Sequence, residues 1–183
     1  MLRLCSTSLS RQQILKENEI TFIQCDNGFD EETLELSSPR SFVYTATVCK
    51  YKKALETYGL ELPLLVVDSV IECANTLQRK PKNQKEAKEF LQMQSGSSIH
   101  ILSCCILHSN KFYFINLGKT TYEFSSFDLD DLEVYLQSQQ WQNKAGAVMV
   151  EGFHKKYIKK QIGSTSNAMG LHFEAIQPFL ELL

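Results

Sequence analysis

The most strand-like stretch, Pro63-Leu64-Leu65-Val66-Val67-Asp68-Ser69-Val70-Ile71-Glu72-Cys73, constrains the fold more than any other part of the chain. Four successive aliphatic residues leave no polar face, so the run suits a buried strand rather than one half open to water. Buried strands of this kind belong to α/β sheets. Asp68 and Ser69 follow directly, at what reads as the exit of the strand. Open α/β sheets place ligand chemistry at that end of a strand. A turn-capping aspartate is the plainer reading of the same position.

The flanking sequence alternates strand-like and helical patterns. Residues 2–6 read as a short apolar strand, Ser10 to Glu17 as a helix behind a serine cap, and Ile20–Cys25 as a second strand. A polar loop follows, with an acidic knot of Asp30, Glu31 and Glu32. Ser38 is a good N-cap, and Pro39 stands at the first helical position, where its missing N–H costs nothing. Gly59 closes that helix about five turns later. Spacing of three and four puts Val43, Ala46, Lys50 and Ala54 on one face, so Lys50 interrupts an apolar stripe. Lys52 and Lys53 point elsewhere.

Asn83 to Gly96 reads as a helix ending at the glycine. Ser98–Leu107 and Phe112–Phe124, joined by His-Ser-Asn-Lys, read as a hairpin. A capped amphipathic helix follows, with Asp128 near its start. Lys144 lies among small residues before a short apolar run, and Glu151-Gly152 comes after it. A Gly/Ser loop then leads to a final helix. No repeat or linker divides the 183 residues, which predicts a single α/β domain over 1–183.

Composition excludes several classes. A net charge of −2 argues against a nucleic-acid binder. The apolar runs fall far short of the roughly 20 residues that a membrane span needs. The opening Met-Leu-Arg-Leu-Cys-Ser-Thr-Ser is too short and polar for a secretory h-region. Six cysteines form no Cys-x-x-Cys pair and read as buried reduced thiols, in keeping with a cytoplasmic protein. His100, His108, His154 and His172 are isolated and read as structural or solvated.

What remains for chemistry is a set of carboxylates (Glu31, Asp68, Glu151) and cations (Arg11, Lys50, Lys80, Lys144) near loop positions. Hydroxyls crowd the first strand-to-helix turn, Ser6-Thr7-Ser8-Leu9-Ser10-Arg11. The mixture suits phosphate chemistry. Carboxylates hold Mg²⁺ or Mn²⁺ through hard oxygens, cations neutralise polyphosphate, and a turn opening a helix presents N–H groups to an anion.

The order of these pieces resembles the Maf family of nucleoside triphosphate pyrophosphatases over nearly the whole chain. The family's first turn is a serine, a variable residue, then Ser-Pro-Arg-Arg. Ser6 and Ser8 match the serines, Leu9 and Ser10 replace the proline and first arginine, and Arg11 matches the second. Asp30-Glu31 matches the acidic pair, Lys50 the lysine of the long helix, and Asp68-Ser69 the Asp-Thr after the buried strand. Lys80-Pro81 and Lys144-Ala145-Gly146 match Lys-Pro and Lys-Ala-Gly, while Glu151 stands where many members carry glutamine. Ile99 takes a position that is often histidine, and His172 one that is often proline.

The resemblance implies two lobes around a deep cleft, and hydrolysis of a nucleoside triphosphate to the monophosphate and pyrophosphate. In that reading Asp68 is the catalytic carboxylate, and Glu31, Asp68 and Glu151 hold a divalent Mg²⁺ or Mn²⁺. Ser8, Arg11, Lys50, Lys80 and Lys144 bind the substrate. Branches of the family differ between dTTP/UTP and 7-methyl-GTP; Glu151 and the serine-rich turn lean to the second, Lys144 to the first. The implied role is removal of non-standard nucleotides, with an influence on septum formation, and the chain is compatible with a homodimer. The rival is a non-catalytic nucleotide-binding regulator of division that kept the fold while its cradle decayed, as Ser10 in place of arginine would fit.

Overall fold

The computed structural model describes residues 1–26 and 28–183, with the backbone alone at Glu32. Asn27 and the Glu32 carboxylate of the acidic knot therefore lie outside the described residues. Seven strands form one mixed sheet: β1 (Leu2–Cys5), β2 (Phe22–Cys25), β3 (Leu64–Cys73), β4 (Thr76–Gln78), β5 (Ser98–His108), β6 (Tyr113–Phe124) and β7 (Ile158–Ile162). Their order is β2-β1-β3-β5-β6-β7, with β4 on the far end of β3. The helices are α1 (Leu9–Glu17), α2 (Pro39–Tyr58), α3 (Gln84–Gln94), α4 (Leu129–Gln137), α5 (Thr165–Ala168) and α6 (Phe173–Leu180).

The long helix is bounded as its sequence predicts. The Ser38 side chain accepts from Ser41 N, Pro39 opens α2, and Gly59 closes it at φ 58°. Its inward stripe packs on the sheet, with Val43, Ala46 and Ala54 fully buried. The hairpin is present as β5 and β6, paired in register from Ser98↔Glu123 to His108↔Tyr113. Asp128 caps α4 by accepting from the N–H groups of Asp130 and Asp131.

β3 differs from expectation in an informative way. Asp68 does not stand at its exit, because the strand continues to Cys73. Antiparallel pairing with β5 is unbroken from Leu64↔His108 to Cys73↔Ile99 and keeps the backbone extended. What ends is the parallel neighbour: β1 stops at Cys5, opposite Val66. On that same edge β4 begins only at Ile71↔Gln78. Among the described residues, 67–70 therefore have no strand partner on that side, and the sheet is open there.

Two cores meet across this opening. One lies under α1 and α6 and includes Leu2, Leu4, Leu15, Leu65, Val67 and Ile176. The other lies under α3 and α4 and includes Ile71, Leu91, Ile99, Tyr122, Phe124 and Leu136. These are the two lobes, and β3 and β5 run from one into the other.

The cysteines make no disulfide. Cys5 and Cys25 are register partners on β1 and β2, with sulfur atoms 2.9 Å apart in a thiol–thiol contact. Burial pushes the thiols of Cys104 and Cys105 up to about 11 and about 12, so neither offers a thiolate nucleophile at neutral pH.

Candidate active site

Strand alternation assigns the two residues at the opening to opposite faces. Asp68 shares its face with Val66 and Val70, which pack toward α2. Ser69 shares the other face with Val67 and Ile71. Asp68 thus meets the one charged residue on the inward stripe of α2: Lys50 Nζ lies 3.0 Å from Asp68 Oδ1 and 2.6 Å from Glu31 Oε2. Glu31 reaches this point from a short 3₁₀ turn, Glu31–Thr33.

The two carboxylates answer differently to this shared cation. Burial raises the pKa of Asp68, and the charge of Glu31 adds to it; Lys50 and Arg11 pull the other way without restoring the ordinary value. At Glu31 burial also pulls upward. There, however, Lys50, by charge and hydrogen bond, together with Lys80 and Arg79, outweighs it and leaves the group below the usual carboxylate range. A buried carboxyl with a raised pKa beside a more acidic one is the pattern of a general base with an electrostatic companion.

The serine-rich turn lies between β1 and α1. Ser8 occupies the N-cap position of α1, yet its side chain makes no capping bond. The helix starts one residue before the predicted Ser10, at Leu9. Uncapped N–H groups at a helix start, with the Ser8 hydroxyl beside them, are a ready anion site.

Arg11 does something the sequence did not reveal. Its Nε donates to Gly170 O at 2.8 Å, Nη1 to Ser6 Oγ at 2.8 Å and Val67 O at 3.0 Å, and Nη2 to Ser69 Oγ at 3.0 Å. The bond to Val67 O occupies the edge that β1 has vacated. Of the five N–H groups on a guanidinium, four are thus committed to the protein among the described residues. Burial pulls this group below its ordinary pKa, and the charges of Asp68 and Glu31 oppose the shift. Arg11 is both a positive wall of the cleft and a brace between α1, β3 and the loop before α6. Arg11→Lys keeps the charge but cannot reproduce the fork, so it is expected to cost about 2–3 kcal/mol of stability in a urea titration. An unchanged midpoint would show that the brace is dispensable.

The opposite wall carries Lys80, Lys144 and Glu151. Lys80 Nζ stands 3.9 Å from Glu31 Oε1 and is half exposed, while Lys144 pairs with Glu151 at 3.3 Å. Gly146 follows Lys144 at φ +57°, and a Cβ there would sit 2.6 Å from Ile71 Cγ1, so glycine lets this loop lie against β3. Ser8, Arg11, Glu31, Lys50, Asp68, Lys80, Lys144 and Glu151, the eight residues proposed from the sequence to bind substrate or metal or to catalyse, border one cleft of about 980 Å³.

For a divalent cation the donors are uneven. Asp68 Oδ2 is buried and has no hydrogen-bond partner among the described residues. Glu31 Oε1 stands 3.9 Å from Lys80 Nζ, while Oε2 takes the Lys50 contact. Two hard oxygens fit Mg²⁺ or Mn²⁺, which one or two carboxylates commonly hold together with substrate phosphates and water. Glu151 does not join them: among the described residues no three His, Cys, Asp or Glu side chains stand close enough to share an ion. Its carboxylate faces Lys144 instead.

None of the four histidines borders the cleft. His100 bonds Thr121 Oγ1, His108 bonds Tyr51 Oη, and His172 bonds Asn116 Oδ1. His154 is fully buried behind the Lys144 loop.

Comparison with known proteins places the whole chain in a family. The family model described as Maf-like protein matches residues 1–183. A nucleoside triphosphate pyrophosphatase of a Nitratiruptor species is 44% identical over 178 residues, covering 96% of each chain. One of Helicobacter pylori is 40% identical over 181 residues, 99% of this chain and 95% of its own. That of Campylobacter jejuni subsp. jejuni is 34% identical, over 98% of this chain and 100% of its own. With the match running end to end, the chain belongs to the Maf-like protein family.

Proposed function

We propose that the cleft hydrolyses nucleoside triphosphates between the α and β phosphates, releasing the monophosphate and pyrophosphate. The observation that carries this is Asp68: a buried carboxylate with raised pKa, tied by one oxygen to Lys50 and with the other lacking a hydrogen-bond partner among the described residues, on the stretch of β3 where the sheet is open. The name borne by the relatives supports it.

The residues divide the work. Asp68 orients a water and takes its proton as the oxygen adds to phosphorus; the bridging P–O bond breaks and pyrophosphate leaves with the electron pair. Lys50 holds the Asp68 and Glu31 carboxylates ionised side by side. The N-terminus of α1 with Ser8, and Lys80 from the other wall, receive the phosphate chain. Asp68 and Glu31 would hold a divalent cation, which when bound supplies charge neutralisation at the phosphate oxygens. Lys144 and Glu151 face the remainder of the nucleotide. The cellular role this implies is disposal of unwanted nucleotides in the cytoplasm.

The test is pyrophosphate release across a panel of ordinary and modified triphosphates, with Mg²⁺, Mn²⁺ or EDTA. Turnover of at least one triphosphate, abolished by EDTA, is the expected result. Binding without turnover across the panel would instead favour a nucleotide-sensing regulator.

A further inference from the structure

Behind the Lys144 loop runs a buried polar chain that touches no part of the cleft. His154 Nδ1 accepts from Met149 N at 3.1 Å, and Nε2 lies 2.9 Å from Gln94 Oε1. Gln94 Nε2 donates to Gln78 Oε1 and to Gly146 O, both at 2.8 Å. His154, Gln94 and Gln78 are each fully buried, in the lobe built on α3 and α4.

The chain has a single direction. Because Nδ1 accepts a backbone N–H, the imidazole proton must sit on Nε2, which then donates to Gln94 Oε1. That fixes the Gln94 amide with its NH₂ toward Gln78 and Gly146. Burial holds His154 far below its ordinary value, at about 3, so the neutral ring persists at any working pH.

The ends of the chain identify its task. Gly146 and Met149 lie within the loop 144–151, which carries Lys144 and Glu151 at its two ends. Gly146 N also donates to Arg79 O at 2.9 Å, beside Lys80, and the Tyr135 hydroxyl donates to Ala147 O. Two separate segments, 78–80 and 144–151, are therefore tied in register by the Gly146–Arg79 backbone bond and, behind it, by the side chains of Gln94 and His154. An apolar filling of equal volume would pack this space without fixing that register.

We infer that His154, Gln94 and Gln78 are positioning residues that set how Lys80, Lys144 and Glu151 face the nucleotide, and so set which nucleotide is preferred. This rests on the triphosphatase reading of the cleft. Asp68, Lys50 and Glu31 hang on β3, α2 and the turn at Glu31, and the chain reaches them only through the 3.9 Å contact of Lys80 with Glu31 and the charge of Arg79, so the bond-breaking step should change less than binding.

The experiment measures kcat and KM for a set of triphosphates differing only in the base, with wild type, Gln94→Met, Gln78→Met, His154→Leu and His154→Asn. Gln94→Met is expected to raise KM for the preferred substrate by about ten- to a hundredfold and to flatten the ranking among bases, with kcat within about threefold. His154→Asn keeps an acceptor for Met149 N and should recover part of what His154→Leu loses. If Gln94→Met fails to fold, Gln78→Met, which removes the bond from Gln94 and a weak one to Met93 Sδ while sparing Gly146 O, carries the same expectation at smaller size. Equal losses for every triphosphate in folded variants, or no change at all, would overturn the inference. Should the wild type bind without turnover, the same ranking is read from dissociation constants. A wild type that binds no nucleotide sinks the functional reading itself, and the inference with it.

Discussion

Asp68→Asn removes nearly all turnover, by about 10²–10⁴, while nucleotide binding stays within about threefold. Asparagine has the same shape, so its carbonyl can keep the contact that Oδ1 makes with Lys50 at 3.0 Å. The amide then occupies the place of Oδ2, the buried atom with no partner among the described residues. An NH₂ there can neither take a proton from water nor donate an electron pair to a cation. Near-normal turnover in this variant would refute the assignment of Asp68 as the base.

The same substitution has a pH signature. Asp68 must be ionised to act, and its pKa is raised by burial. The acid limb of the wild-type kcat/KM profile is therefore expected above the ordinary aspartate range, and absent from the residual activity of Asp68→Asn. Stability moves the opposite way. A folded pKa above the unfolded one means that the folded state binds more protons between the two values. Asp68 thus stabilises the fold when protonated and loses that contribution as pH rises through its folded value. At neutral pH the charge is a net cost, so Asp68→Asn should unfold no earlier than wild type. Loss of activity without loss of stability separates a catalytic defect from a folding one.

How far the sequence reached depends on the range of the interactions. α2 was legible to the residue because Ser38, Pro39, Gly59 and the apolar stripe are all local signals, and Lys50 inherited its inward position from that stripe. Asp68 was found through the aliphatic run before it. The strand-like segment reached Cys73 as β3 does, but Asp68 was read as an exit because the pairing that carries the strand past it is with β5, whose partner residues lie 26 to 44 positions away in sequence. β7, Ile-Lys-Lys-Gln-Ile, escaped notice because nearly all of it is exposed on the sheet edge, and β4 because it has only three residues. The Arg11 brace spans 56 to 159 residues in three of its four bonds, and the His154–Gln94 bond spans 60. No periodicity encodes such pairs. The one available signal was a lone histidine, and a lone histidine is ordinarily structural.

Lys50→Ala should be costly twice over. Lys50 is the cation between Asp68 and Glu31, and the three side chains are 12%, 8% and 21% exposed. Removing it leaves two partly buried carboxylates facing one another, and stranding a buried charge typically costs about 3–5 kcal/mol. Glu31 would lose the partner that keeps it below the carboxylate range, and Asp68 the partner that limits its rise. Turnover should fall with it, because a proton shared by the pair occupies the base. The deficit depends on pH with a definite sign. The depressed Glu31 contributes stability above its unfolded pKa, and loses it as pH falls through its folded value. Wild type and Lys50→Ala should therefore differ most near neutral pH and converge once both carboxylates are protonated. Lys52 and Lys53, exposed on the outer face of the same helix, provide the control. Alanine at either should change stability by less than about 0.5 kcal/mol and leave kcat alone. Equal losses at 50, 52 and 53 would mean that the helix contributes a diffuse positive field rather than one placed ammonium group.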